Sequence, residues 1–150
     1  MGYRRLFIMR KDLHMSTGKL AAQVAHCAEA YWTRDILYFS KSEKTEQIGN
    51  LLSIPILIEQ DVFENYINST FTKTICEARN KTHLLKAKEI AINLGLKDGT
   101  QFGLIYDKCL TELEPEEEDG TTLTGIWFCP LPDDKAHEIS RRYQLYRDKK

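Results

Sequence analysis

Lys19, Gln23 and His26 recur at i, i+4 and i+7 in DLHMSTGKLAAQVAHC, residues 12–27. On a helix this spacing places three polar side chains along one face. A cation in the first turn of a helix opposes the macrodipole by roughly a few tenths of a kcal/mol. A positive helix end together with an ammonium stabilises an anion or a developing oxyanion. The same lysine can equally be a solvated residue at a helix start. A second stretch, IYDKCLTEL (residues 105–113), puts Asp107 where a strand gives way to a loop and Thr111 four residues later. Strand ends of that kind are the usual place for site residues in open α/β sheets. A carboxylate orients or deprotonates a water, and a nearby hydroxyl holds that water or the substrate, although Asp and Thr at this spacing also cap turns. The Gly18–Lys19 pair does not make a phosphate-binding loop: Leu13 stands where the earlier glycine belongs and Leu20 where the magnesium-binding hydroxyl belongs. Cys109 offers another chemistry, a thiol nucleophile with His26 or His83 as base. His14 and His137 read as solvated.

These residues need elements to hold them. RRLFIM (residues 4–9) reads as a short strand buried on both faces. A helix follows from about Lys19 toward Tyr38, with Ser16 or Thr17 as N-cap and Leu20, Val24, Cys27 and Tyr31 as its apolar stripe. Residues 40–69 are expected to be mostly helical, an insertion of helical character at about 40–66. FTKTICEAR (71–79) reads as a strand, and Asn80 as N-cap of a helix whose inner face is Leu84, Ala87, Ala91 and Leu94, stopped at Gly95. Strands over 100–107 and 121–130, a last helix from Asp133 and an edge strand in YQLYR complete the chain. Alternating strands and helices predict an α/β fold: a three-layer single domain over residues 1–150, with a mixed four- or five-stranded sheet and helices on both faces.

The chain of 150 residues suits one core, with 42% hydrophobic and 29% charged residues. No apolar run approaches the roughly 18–20 residues that span a bilayer, and the basic start lacks a signal peptide's apolar stretch. The expectation is a cytoplasmic protein with no membrane partner. Cys27, Cys76, Cys109 and Cys129 form no C-x-x-C pair, which argues against a zinc or redox motif. The formal net charge is −1, but its distribution is uneven. Arg4, Arg5, Arg10, Lys11 and Lys19 lie near the start, Arg141, Arg142, Arg147, Lys149 and Lys150 near the end, and ELEPEEEDG (112–120) between them. Nucleic-acid binding requires the two basic ends to converge in space, away from the acidic run.

Taken together, the motifs resemble a known family. IMRKDLHMSTGKLAAQVAHCA is similar to the opening of peptidyl-tRNA hydrolases of the second, archaeal and eukaryotic type, through Arg10, Asp12, Leu13, Met15, Gly18, Lys19, Ala21, Ala22, Gln23 and His26. YDKCLTEL keeps that family's Asp107 and Thr111, and TTLTGIWFCP and SRRYQLY echo its later strands. The resemblance implies an esterase without metal or nucleotide cofactor, which cleaves the ester joining a peptide to the terminal ribose of a tRNA. It implies Lys19, Asp107 and Thr111 as catalytic residues, Arg10, Asp12, Gln23, His26 and Arg142 as substrate contacts, tRNA as partner and a homodimer as an option. A binding module of the same fold, or an esterase acting on a smaller substrate, stays open.

The chain departs from the family pattern in its RNA-docking surroundings. Ser16 and Thr17 replace a glycine and a lysine, Tyr106 replaces a glutamine, and Lys108, Cys109 and Leu110 replace Ala-Gly-Arg. Arg141 to Gln144 replace Gly-His-Leu-Lys, and the acidic run follows Thr111 directly.

Overall fold

The strand Tyr3–Arg10 (β1) divides the molecule into layers. A computed structural model describes residues 2–148. Alternation along β1 sends Leu6 and Ile8 to one face and Phe7 and Met9 to the other, and all four are buried. On the first face they pack with Leu84, Ala87 and Ala91 of helix α3 (Lys81–Asn93) and with Ala136 and Ile139 of helix α4 (Asp133–Ser140). On the second face Phe7 and Met9 meet Trp127 and Cys27, with Leu20 and Val24 alongside, from helix α1 (Thr17–Phe39). The fold is therefore three-layered, with helices on both sides of the sheet.

The other strands are β2 (Glu46–Ile48), β3 (Leu51–Ser53), β4 (Thr72–Ala78), β5 (Phe102–Asp107), β6 (Thr122–Phe128), β7 (Leu131–Pro132) and β8 (Gln144–Leu145). The main sheet runs β5–β6–β1–β4–β8. β1 and β4 are parallel and the remaining neighbours antiparallel. The five-stranded path gains a short addition where β7 pairs with Tyr3 and Arg4 at the start of β1. The C-terminal ends of β1, β4 and β5 and the N-terminal end of β6 share one end of the sheet, since Arg10 aligns with Ala78 and Asp107 with Thr122. Site residues converge at this end.

Helix α1 starts where its cap predicts: the Ser16 hydroxyl accepts from the Lys19 N–H at 3.3 Å. Asn80 caps α3 by accepting from the His83 N–H at 2.8 Å, and Gly95 leaves the helix at φ +83°, a conformation that favours glycine. The edge strand expected in YQLYR is β8, paired with β4.

Residues 40–66 differ from the helical expectation. Glu46–Ser53 forms the β2–β3 hairpin, separate from the main sheet. Helix begins only at α2 (Gln60–Val62), which runs into a π-helical turn over Phe63–Thr70. The physical signal lies in Ile48-Gly49-Asn50-Leu51: two turn residues between apolar ones make a two-residue hairpin, and Gly49 takes φ +63°. A second difference concerns the basic start of the chain. Arg5 is fully buried and donates to the carbonyls of Phe128, Ala28 and Cys27 at 2.9, 2.7 and 3.2 Å. Its charge thereby fastens α1 to β1 and β6 instead of facing solvent. Burial lowers its pKa. Cys27, Cys76 and Cys129 are buried, Cys109 is half-buried, and all four are free thiols.

Candidate active site

The chain leaves β5 at Asp107 and reverses at once. The Cys109 N–H donates to Asp107 Oδ2 at 2.9 Å, an Asx turn that folds the loop back over its own start. Cys109 adopts φ +59° to make the reversal, a left-handed conformation uncommon for a side-chain-bearing residue. Thr111 is thereby returned toward the first turn of α1. There Lys19 Nζ donates to Asp107 Oδ1 at 2.8 Å and to Thr111 Oγ1 at 3.3 Å. Gln23, one turn along α1, donates through Nε2 to the same Asp107 oxygen at 3.1 Å.

A bulge in β6 supports this arrangement. Between Ile105 and Tyr106 the pairing skips Thr124, because Ile105 faces Gly125 and Tyr106 faces Leu123. Bulges re-aim side chains at such places. The fully buried Thr124 hydroxyl donates to Gln23 Oε1 at 2.7 Å, and Gln23 itself is 1% exposed. Thr124 therefore fixes Gln23, and Gln23 fixes the carboxylate.

Lys19 and Asp107 side chains keep 13% and 10% of their surface. Burial pushes the Asp107 carboxyl up, but the hydrogen bonds from Lys19, the Cys109 N–H and Gln23, with the Lys19 charge, outweigh it. The net direction is below the usual carboxylate value of 3.8. The pair opens into a cleft of about 560 Å³. Leu104, Ile105 and Leu110 form its apolar wall, and His26, Tyr106 and Lys108 its polar one. A cleft presenting an ionised carboxylate, an ammonium and a hydroxyl can orient a water and stabilise negative charge on a carbonyl oxygen.

The structure brings Lys19, Asp107, Thr111 and Gln23 into contact and sets His26 on the rim of the same cleft. It does not bring Arg10, Asp12 or Arg142 there. Arg10, 3% exposed, binds Asp12 at 2.8 Å, Glu116 at 2.5 Å and the Leu123 carbonyl at 3.1 Å. Arg142 lines a separate cavity. Cys109 Sγ meets the Asp107 carbonyl at 3.5 Å and the Thr122 hydroxyl at 3.4 Å, and His83 accepts from the Arg79 N–H, so neither makes a thiol–imidazole pair with the other. His14 and His137 are exposed.

Sequence reasoning missed Thr124 and Glu112. Thr124 had a signal, one of two hydroxyls, with Thr122, on a strand whose other side chains are apolar. Glu112 accepts from the Ser16 N–H at 2.9 Å and from its hydroxyl at 2.7 Å, so a carboxylate of the acidic run sits on the N-terminus of α1. The same run pairs Glu116 with Arg10 and Glu117 with Lys81. The acidic segment thus lies among the cations of this sheet end, not away from them. Among the described residues, no group of three or more His, Cys, Asp or Glu side chains could hold a metal ion, and no helix is long and apolar enough to cross a membrane.

Comparison with known proteins covers nearly the whole chain. It is 30% identical over 145 residues to a peptidyl-tRNA hydrolase of Methanopyrus kandleri, spanning 97% of this chain and 99% of that protein. Over 143 residues it is 28% identical to one of Thermococcus sibiricus, spanning 95% and 97%. Over 142 residues it is 25% identical to one of Thermoplasma acidophilum, again spanning 95% and 97%. Residues 3–146 match a single family from the first residue of β1 to just past β8, taking in both walls of the cleft. The chain belongs to the peptidyl-tRNA hydrolase PTH2 family.

Proposed function

We propose that the protein hydrolyses the ester bond of peptidyl-tRNA, releasing free tRNA, with Lys19, Asp107 and Thr111 as its catalytic residues. The observation that carries the reading is the contact of all three groups at the mouth of one open cleft in a chain of this family. Asp107, held ionised, accepts a hydrogen bond from the attacking water and aims it at the ester carbonyl. Its depressed pKa makes it a weak base, so orientation and charge stabilisation are its larger share. As water adds, negative charge grows on the carbonyl oxygen, and the Lys19 ammonium beside the α1 N-terminus stabilises it. The bond to the ribose oxygen then breaks. The proton lost by the water ends on that oxygen, and Thr111 holds the water or the neighbouring ribose hydroxyl. Gln23 positions Asp107, and His26 on the rim is placed to touch the substrate.

Arg10, held by Asp12, acts through the acidic segment it anchors at Glu116, and Arg142 contacts the tRNA away from the ester. The domain works without a metal or nucleotide cofactor, in the cytoplasm where charged tRNA is used, and its self-association into a homodimer is measurable by sedimentation. The test is single-turnover hydrolysis of an N-blocked aminoacyl-tRNA. Lys19→Ala and Asp107→Asn are each expected to lower the rate by at least about 10²–10³. Near-normal turnover in both variants overturns the assignment.

A further inference from the structure

At the sheet end that carries the candidate active site, several cations are already matched. Lys19 faces Asp107, Arg10 faces Asp12 and Glu116, and Lys81 faces Glu117. Lys108, in the active-site cleft, Arg79 and Arg142 have no carboxylate within 4.0 Å among the described residues. Arg79 and Arg142 line one cavity of about 460 Å³, joined by Arg141. Arg79 follows β4 directly, and Arg141 and Arg142 follow α4, so two separate elements deliver these guanidinium groups to one place.

One wall of the cavity is a stacked ring pair tied by two hydrogen bonds. The His83 and Tyr143 rings stack at 4.4 Å with 19° between their planes. The Tyr143 hydroxyl donates to the His83 carbonyl at 2.7 Å, and the Arg79 N–H donates to His83 Nδ1 at 2.9 Å. The cavity's acidic member, Glu77, is engaged elsewhere, with Lys11 at 3.9 Å and the Arg147 N–H at 3.1 Å. Arg141 leans on Glu138 at 3.7 Å through two exposed side chains, a contact worth little in water. β5 and β4 are separated by β6 and β1, three strand spacings of about 4.8 Å each in the plane of the sheet, and the cavity lies on the α3–α4 face while Lys19 comes from α1 on the other, so cleft and cavity share one end of the sheet but not one face.

We propose that the Arg79–Arg141–Arg142 cavity is a second subsite that grips a backbone phosphate of the tRNA while its 3′ end lies at Lys19 and Asp107. This rests on the functional reading above. An approaching polyanion meets three cations of this sheet end already neutralised by carboxylates, and at this cavity two guanidinium groups, Arg79 and Arg142, that have no carboxylate within 4.0 Å among the described residues. Planar guanidinium forks match phosphate bidentately, and the stacked His83–Tyr143 pair lines the same cavity.

The test measures binding of deacylated tRNA to the full protein over a potassium chloride series, with hydrolysis of N-blocked aminoacyl-tRNA alongside. Arg79→Ala/Arg142→Ala is expected to lose about tenfold in low-salt affinity and to shallow the log–log salt slope by about one to two. Lys41→Ala/Lys44→Ala, which removes the same charge from the exposed 40–45 turn, is expected to stay within about twofold of wild type. Arg79→Lys/Arg142→Lys keeps both charges and is expected to hold the slope while losing part of the affinity with the fork geometry. Equal losses in the two alanine pairs, or wild-type affinity and slope in Arg79→Ala/Arg142→Ala, overturn the subsite. If wild-type protein hydrolyses its substrate while the arginine variants are indifferent, the subsite fails together with the Arg142 contact, and the ester-cleaving reading of Lys19, Asp107 and Thr111 stands. If wild-type protein neither binds nor cleaves, the functional reading fails and takes the subsite with it.

Discussion

Asp107 is a carboxylate with more donors around it than an exposed surface group can gather. Lys19, Gln23 and the Cys109 N–H all point at it, and together they outweigh the burial that would otherwise raise its pKa. The sign of the linkage follows. A depressed folded-state pKa contributes stability that is fully present above the ordinary value of 3.8 and is lost as pH falls through the folded value. Asp107 is therefore expected to show no titration between about pH 5 and 8, the range where an unperturbed histidine would. A carbon-detected NMR titration of the Asp107 carboxyl checks this, and Lys19→Met should move its midpoint upward. An unmoved midpoint would show that Lys19 is not what holds the carboxylate ionised.

At the scale of elements, three pieces of chain have to be aligned within a few ångströms. Arg5 ties α1 to the sheet through α1's own carbonyls, the β6 bulge supplies Thr124, and the Asx turn after β5 supplies Thr111. Thr124→Val keeps the shape of the side chain and removes the donor. Gln23 Oε1 is then buried without a partner, at a cost of about 1–3 kcal/mol in urea-denaturation stability. Gln23 also loses its hold on Asp107, and single-turnover hydrolysis should fall by about tenfold to a hundredfold. Thr124→Ser, which restores the donor, should recover most of both. A Val variant with wild-type rate would mean that Gln23 needs no support from β6. Gly103, in β5, shows how tightly these strands approach: a Cβ there would meet the Trp127 ring at 2.5–2.7 Å.

At the scale of the molecule, the β2–β3 hairpin forms a two-stranded sheet separate from the main one that carries the candidate site. Among the described residues its strands pair only with each other, and it exposes Ile48, Leu51 and Leu52. Surface substitutions of this kind usually stay within about 0.5 kcal/mol each. Replacing these three residues by Ser is therefore expected to leave thermal stability and kcat/KM near wild type, as read by melting and steady-state kinetics. A clear fall in either, or a change in sedimentation, would show that the hairpin packs against the body or against a second copy.

The sequence by itself determined the elements whose signals are local. The apolar run of β1, the capping Ser16 and Asn80, the 3.6-residue periodicity of α1 and α3 and the spacing of Lys19, Gln23 and His26 all express short-range geometry, and each corresponds to an observed feature. The hairpin at 46–53 was also locally encoded, in Gly49-Asn50, but its flanking charges read as a loop and helix. Tertiary structure alone decided which charges are free. Arg5 and Arg10 look in sequence like Arg79 and Arg142, yet the first two are buried and hydrogen-bonded and the last two are exposed. It also brought position 19 to position 107 and the acidic segment onto Arg10 and Lys81. Such pairings join residues separated by 36 to 106 positions, and no local propensity carries information over that distance.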